Sequence, residues 1–154
     1  MNILKVGDKV PEFSSLDQHN NIINSTDFAD KKLIVFFYPR ANTPGCTAQA
    51  CNLRDNYGEL IKKGYSLLGV SADTIKHQKS FSDKFDFPFS LLSDPDHVII
   101  NIFGVWGPKM FRGNEYEGIN RITFIINEKG EVERVIDKVK TKDHASQILD
   151  DLSI

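Results

Sequence analysis

The run Leu33-Ile34-Val35-Phe36-Phe37-Tyr38 sets the strongest limit on how this chain can fold. Its six consecutive large apolar residues, fenced by Lys31-Lys32 and Pro39, have neither the alternation of a half-exposed strand nor the length of a helix. Such a run suits a strand buried on both faces, inside a sheet with other elements packed above and below it.

The flanking sequence supplies those elements. Residues 1–30 are polar and turn-rich, and Asn20-Asn21 separates two short segments able to pair as a hairpin. Thr43-Pro44 reads as a helix start, the threonine hydroxyl accepting from an unpaired amide and the proline taking the first helical position, with Gly64 as the stop. Between them Cys46, Ala50, Leu53, Tyr57, Leu60 and Ile61 form one apolar stripe at three- and four-residue intervals. Residues 65–71 and 88–93 read as strands, His77, Phe81 and Phe85 as the inner face of a helix after Asp73, and residues 97–103 as a short helix. Residues 104–120, with four glycines, one proline and Trp106, read as an ordered loop to which no role is assigned. Arg121 opens a strand running to Ile126, a turn at 127–130 leads into a hairpin partner at 132–136, and Ala145, Ile148, Leu149 and Leu152 mark a closing helix. The order predicts an α/β chain with a central mixed sheet flanked by helices, which a thioredoxin-like fold with an N-terminal hairpin extension satisfies.

At 154 residues, 40% hydrophobic and 26% charged, the chain has the size and balance of one domain spanning residues 1–154. A net charge of -2 and a pI near 6.1 give no electrostatic reason to expect nucleic acid or an anionic membrane as partner. The N-terminal stretch lacks the basic start and apolar run of a signal peptide, and no apolar run approaches a membrane span, so the expected location is cytoplasmic. In a reducing compartment, a cysteine pair is more often catalytic, redox-sensing or metal-binding than a permanent crosslink.

The chain's two cysteines, Cys46 and Cys51, lie five positions apart on the expected helix. A thiol in the first turn faces unpaired backbone amides and the positive end of the helix dipole, both of which favour its thiolate form. Cys51, one turn on, lies outside that field. Five helical residues advance about 7.5 Å and rotate about 140°, which sets the two alpha carbons beyond the roughly 7 Å limit for a disulfide, so a bond between them needs local unwinding. The spacing is not the C-x-x-C of a thiol-disulfide exchanger. Two thiolates also leave a tetrahedral zinc site half filled, and His19, His77, His97 and His144 are scattered without ligand spacing, so no metal or cofactor is expected. A redox-sensing switch that reshapes a surface stays open beside an enzyme.

The segment Pro39-Arg40-Ala41-Asn42-Thr43-Pro44-Gly45-Cys46 fits the pattern P-x-x-x-T-x-x-C and resembles the signature of peroxiredoxins. The second cysteine five residues later resembles the bacterioferritin comigratory protein branch, also called peroxiredoxin Q. Collinear matches at G-D-K-V-P-E-F, G-V-S-A-D, P-F-S-L-L-S-D, F-G-V-W-G and G-I-N-R-I-T-F-I-I-N extend the resemblance over nearly the whole chain. It implies a thiol-dependent peroxidase for hydrogen peroxide and organic hydroperoxides. Cys46 would be the attacking thiolate, Thr43 and Arg121 hydrogen-bonding partners of thiolate and peroxide, Pro39 a pocket wall, and Cys51 the resolving thiol. The resemblance further implies recycling by thioredoxin or a similar dithiol, and a monomer. Two departures are Gln49, where relatives often carry glutamate, and Ile122, where a serine is frequent. A one-cysteine peroxidase with Cys51 as spectator stays open.

Overall fold

The computed structural model describes residues 2–152; the side chain of Leu152, expected on the closing helix, lies outside what it describes. A seven-stranded sheet runs in the order β2 (Ile22–Asn24), β1 (Ser14–Asp17), β5 (Ser90–Ser93), β4 (Tyr65–Ser71), β3 (Lys32–Phe37), β8 (Thr123–Ile126), β9 (Val132–Ile136). The pairs β3–β4 and β4–β5 are parallel and the others antiparallel, which is the mixed, thioredoxin-like arrangement expected from the sequence. The parallel pairs need crossovers. Helices α1 (Pro44–Asp55) and α2 (Tyr57–Lys62) supply the first, and α3 (Ile75–Phe85) the second.

The alternation of β3 divides the core. Ile34, Phe36 and Tyr38 pack on one face with Cys46, Ala50 and Leu53 of α1, Leu60 of α2, Phe81 of α3, and Ala145 and Ile148 of α5 (His144–Leu152). Leu33, Val35 and Phe37 pack on the other with Phe13, Phe124 and Ile99, Ile100 and Phe103 of α4 (Val98–Phe103). Both faces of β3 are therefore covered, as six apolar residues in a row require.

Three expectations are corrected. Residues 104–120 are a hairpin, not a loop: β6 (Trp106–Phe111) pairs antiparallel with β7 (Asn114–Ile119) in a separate two-stranded sheet. Arg112 and Gly113 both take positive φ, 51° and 80°, as a two-residue type I′ turn requires. A two-stranded sheet consists only of edges, so Pro108 can sit in it without removing a bond from an inner ladder. The single helix expected up to Gly64 breaks at Asn56, whose side-chain amide donates to the Asn52 carbonyl at 2.9 Å and competes with the helical bond that carbonyl would accept. Beyond the break, Ile61 is 47% exposed instead of continuing the stripe. His77 also faces outward; the buried stripe of α3 is Gln78, Phe81 and Ser82.

Gly69 lies on β4, beside β3. A Cβ there would meet Phe36 Cζ at 2.7 Å and Leu91 Cδ2 at 2.8 Å, both inside the core. The Gly69→Ala variant should lose about 1–3 kcal/mol of stability through overpacking, measured by urea denaturation; a variant as stable as the parent would show that the two side chains can yield.

Candidate active site

The site is built where β3 runs out. Tyr38 continues the strand direction, its amide donating to the Val70 carbonyl at 3.1 Å, and its phenol donates to Gln78 Oε1. Burial pushes the Tyr38 phenol far above its ordinary range, so it stays a donor. Gln78 Nε2 donates to Ser71 Oγ and to the Leu92 carbonyl, both at 2.9 Å, and the Ser71 hydroxyl donates to Asp73 Oδ2 at 2.6 Å. The same carboxylate oxygen accepts from the Ala41 amide at 2.7 Å. A chain of buried and half-buried polar groups thus holds the loop that leads from Pro39 into α1.

Thr43 precedes α1 and Pro44 is its first residue, as the sequence suggests. The expected hydroxyl cap is absent: Thr43 Oγ1 donates to the Arg40 carbonyl at 2.8 Å, so the hydroxyl braces the loop instead of the helix. Cys46 lies in the first turn and is 1% exposed. Arg121, just before β8, reaches it: Nη2 donates to Cys46 Sγ at 3.4 Å while Nη1 donates to Gln49 Oε1 at 2.6 Å. Gly45 makes room, because a Cβ there would lie 3.2 Å from Arg121 Nη2. Gln49 is fully buried, and its Nε2 has no hydrogen-bond partner among the described residues. Its neutral amide fixes the direction of the guanidinium without cancelling its charge, which a glutamate would do.

Cys51 occupies the same intact helix, a free thiol like Cys46, half-buried against the core cluster of α1. Burial pushes its thiol up; Arg54 opposes that and Asp55 adds to it. The two thiols are therefore unequal: one has a guanidinium on its sulfur, the other a partly apolar bed. Next to Cys51, Asn52 ties α1 to the closing helix, its Oδ1 accepting from the Ala145 amide at 2.7 Å and its Nδ2 donating to the Lys142 carbonyl at 3.2 Å.

His144 anchors the other side of that helix. It is fully buried, with Nε2 2.8 Å from Thr123 Oγ1 and Nδ1 2.9 Å from Gln147 Oε1. Since Gln147 Oε1 can only accept, Nδ1 carries the proton and Nε2 takes the Thr123 hydroxyl. Burial pushes His144 down to about 4; Gln147 opposes the shift and Arg121 reinforces it.

The structure brings together Cys46 and Arg121, places Thr43 and Pro39 at the loop beside them, and keeps Cys51 apart. Sequence reasoning noted Gln49 only as a departure from a pattern; its hold on Arg121 comes from a contact between positions 72 residues apart. It missed Lys109, which sits in the segment read as a loop. The Lys109 ammonium donates to the Ile119 carbonyl at 2.7 Å; burial pushes it down, Arg121 adds to that, and Cys46 opposes it. Only a hairpin reading of residues 104–120 would have turned it toward the site. Among the described residues no three His, Cys, Asp or Glu side chains gather as a metal-binding group, and no helix is long and apolar enough to cross a membrane.

A family model described as AhpC/TSA matches residues 6–135. The chain is 49% identical to the peroxiredoxin bcp of Haemophilus influenzae over 97% of each chain. It is 48% identical to peroxiredoxin Bcp of Escherichia coli, covering 97% of this chain and 96% of that one. Among solved structures it superposes on the bacterioferritin comigratory protein of Xanthomonas campestris, studied for alkyl peroxide reduction, with a TM-score of 0.87 at 30% identity over 98% and 96% of the two chains.

The buried neutral His144 makes stability depend on pH. Its folded value near 4 lies below the ordinary 6.5, so its contribution is complete above about 6.5 and is lost as pH falls toward 4. Denaturation measured across that window should show a loss on the order of 3 kcal/mol, part of which His144→Gln removes. The same slope in parent and variant would mean that His144 is not the titrating group.

Proposed function

Because the chain belongs to the AhpC/TSA family, in its Bcp or peroxiredoxin Q branch, we propose that it is a thiol peroxidase that reduces hydrogen peroxide and organic hydroperoxides at Cys46. The observation that carries the reading is the forked grip of Arg121, one arm on the Cys46 sulfur and the other on Gln49.

The chemistry asks more of the site than an ionised thiol. A thiol of ordinary pKa is only about 3% thiolate at neutral pH, and lowering that pKa costs nucleophilicity with a Brønsted slope of about 0.4–0.5, which offsets much of the gain. The remaining acceleration must come from aligning the peroxide with sulfur and stabilising charge on the leaving oxygen. Arg121 is permanently charged and aimed by Gln49, which suits it to that task. Thr43, with its hydroxyl proton given to Arg40, keeps lone pairs for the peroxide O–H, and Pro39, on the loop that leads into α1, is assigned the pocket wall.

In the first step the Cys46 thiolate attacks one peroxide oxygen, the O–O bond breaks, and a proton completes the leaving water or alcohol. Cys46 becomes a sulfenic acid. In the second, the Cys51 thiol displaces that hydroxyl as water and an intramolecular disulfide forms. Both residues lie in α1, so the helix must unwind over its first turns before the sulfurs can meet. The half-buried, raised Cys51 thiol is a poor competitor for peroxide and reaches Cys46 only when that unwinding brings the two together. The proposal includes thioredoxin or a similar dithiol as reductant, a monomeric enzyme, and residence in the cytoplasm, where a reducing pool can return both thiols.

A one-cysteine cycle is the second reading, drawn from the packing of Cys51 against the core in an unbroken helix. The Cys51→Ser variant separates the two: it should keep the first oxidation of Cys46 and lose thioredoxin-dependent turnover in an NADPH-coupled assay, and full turnover would defeat the resolving role. The Arg121→Ala variant should slow the oxidation of Cys46 by roughly 10²–10³-fold in stopped flow. The defect should persist near pH 9.5, where an ordinary thiol is already mostly ionised. Recovery at that pH would reduce Arg121 to an aid to ionisation.

A further inference from the structure

Among the described residues three glutamines are buried, Gln18, Gln49 and Gln78, and one of them is left incomplete. Gln18 Nε2 donates to Ser82 Oγ at 3.2 Å and to the Phe89 carbonyl at 3.0 Å, and its Oε1 accepts from the Leu91 amide at 2.8 Å. Gln78 is as fully engaged, with Ser71, Leu92 and Tyr38. Gln49 has Arg121 on its Oε1 and nothing on its Nε2, the one buried side-chain nitrogen or oxygen without a hydrogen bond among the described residues. The guanidinium fixes that orientation: turned over, the amide would set its nitrogen against the Nη1 donor.

The place of the exception matters. Gln18 and Gln78 tie α3, β4 and β5 together, whereas Gln49 lies between Cys46 and Cys51, within the turns that the resolving step unwinds. In the closed helix the Nε2 hydrogens face no acceptor, and a buried donor left unpaired carries its full desolvation penalty. Opening hands that nitrogen to water. The bond to Arg121 parts in the same motion, but both of its ends are then solvated, and Arg121 is only half-buried to begin with, so that exchange is closer to even.

We propose that the unpaired amide nitrogen of Gln49 destabilises the closed first turns of α1 and so sets how often Cys51 reaches an oxidised Cys46. Gln49 is then a positioning residue for the resolving step as well as the brace of Arg121. The inference rests on the two-cysteine peroxidase reading and adds to it what governs the second step. In that step the Cys51 sulfur attacks the sulfenic sulfur, the S–O bond breaks as the S–S bond forms, and the hydroxyl leaves with the thiol proton as water. Where helix closing is faster than this chemistry, the rate of disulfide formation follows the open fraction. A sulfenic acid that waits in a closed helix meets a second peroxide instead, which transfers one oxygen to give sulfinic acid and leaves as water or alcohol.

The test compares the reduced, full-length protein with two variants of similar shape and helix propensity. Gln49→Met removes the nitrogen, and Gln49→Glu has no N–H to strand while keeping an acceptor for Arg121. Without peroxide, amide exchange at residues 46–51 of the parent should run well ahead of exchange in β3, as local opening requires, and should slow by roughly tenfold in Gln49→Met. After peroxide, the step from sulfenic acid to disulfide, followed by quenched flow and mass spectrometry, should slow by the same factor, with more sulfinic acid at excess peroxide. Timing from the sulfenic acid keeps any loss in the first oxidation, where Arg121 has lost its brace, out of the comparison. Gln49→Glu should move both readouts in the same direction, and it carries the comparison should Gln49→Met not fold.

Equal or faster exchange at 46–51 in a folded variant would overturn the inference, because the Arg121 bond would then govern α1. Parent exchange at 46–51 as slow as in β3, or disulfide formation unchanged despite slower exchange, would overturn it as well. Unoxidised Cys46 in the parent would overturn the peroxidase reading; the exchange comparison, made without peroxide, judges the effect of Gln49 on α1 separately.

Discussion

Burial of β3 on both faces fixes the strand's position and rotation, and the Cys46–Arg121 contact depends on that fixity. Its far end delivers Pro39 through Cys46, and its flank pairs with β8 in a register that sets Val35 opposite Phe124 and Phe36 opposite Thr123. The Phe37 amide then donates to the Ile122 carbonyl at 3.0 Å, so the ladder reaches the residue beside Arg121. A slip of one residue would turn Arg121 to the opposite side of the sheet, away from α1. The 3.4 Å contact between guanidinium and sulfur is therefore a consequence of core packing as much as of local chemistry. The Tyr38–Gln78–Ser71–Asp73 chain does the same for the loop, linking β3, α3 and β4 to the Ala41 amide.

Helix α1 carries opposing demands. Its first turn must hold Cys46 against Arg121, yet the proposed resolving step needs that turn to open. The local structure suits both. The helix is only twelve residues long, ends where the Asn56 side chain takes the Asn52 carbonyl, and has no side-chain cap at its start. Beyond Cys51, Asn52 ties the helix to Lys142 and Ala145, whereas the Gln49–Arg121 bond of its first turns has to part when they open. Residues 44–51 can thus lose helical structure while the later part of α1 stays fastened to the closing helix.

Much of the architecture was legible because it rests on strong, short-range patterns. The unbroken apolar run 33–38 announced β3, the boundaries of β4 fell at residues 65–71, and the first-turn position of Cys46 followed from Thr43-Pro44. What escaped was decided by side chains competing for backbone, or by long-range contacts. Thr43 has a hydroxyl that can cap or brace, and it braces Arg40. Asn56 breaks a helix that apolar spacing alone carries through to Ile61. Glycine and Pro108 in residues 104–120 suggested a loop, whereas the Arg112-Gly113 turn closes a hairpin and brings Lys109 to a cleft that Arg121 also lines. The Gln49–Arg121 bond joins two elements whose proximity exists only once β3 and β8 pair.

The central claim is that α1 opens to let Cys51 reach an oxidised Cys46. One equivalent of hydrogen peroxide added to the reduced protein, followed by peptide mapping without reductant, tests it most directly. The account predicts a single-chain peptide pair joined through Cys46 and Cys51. A sulfenic acid on Cys46 with Cys51 still free would contradict the resolving step, and two untouched thiols would contradict the peroxidase chemistry altogether.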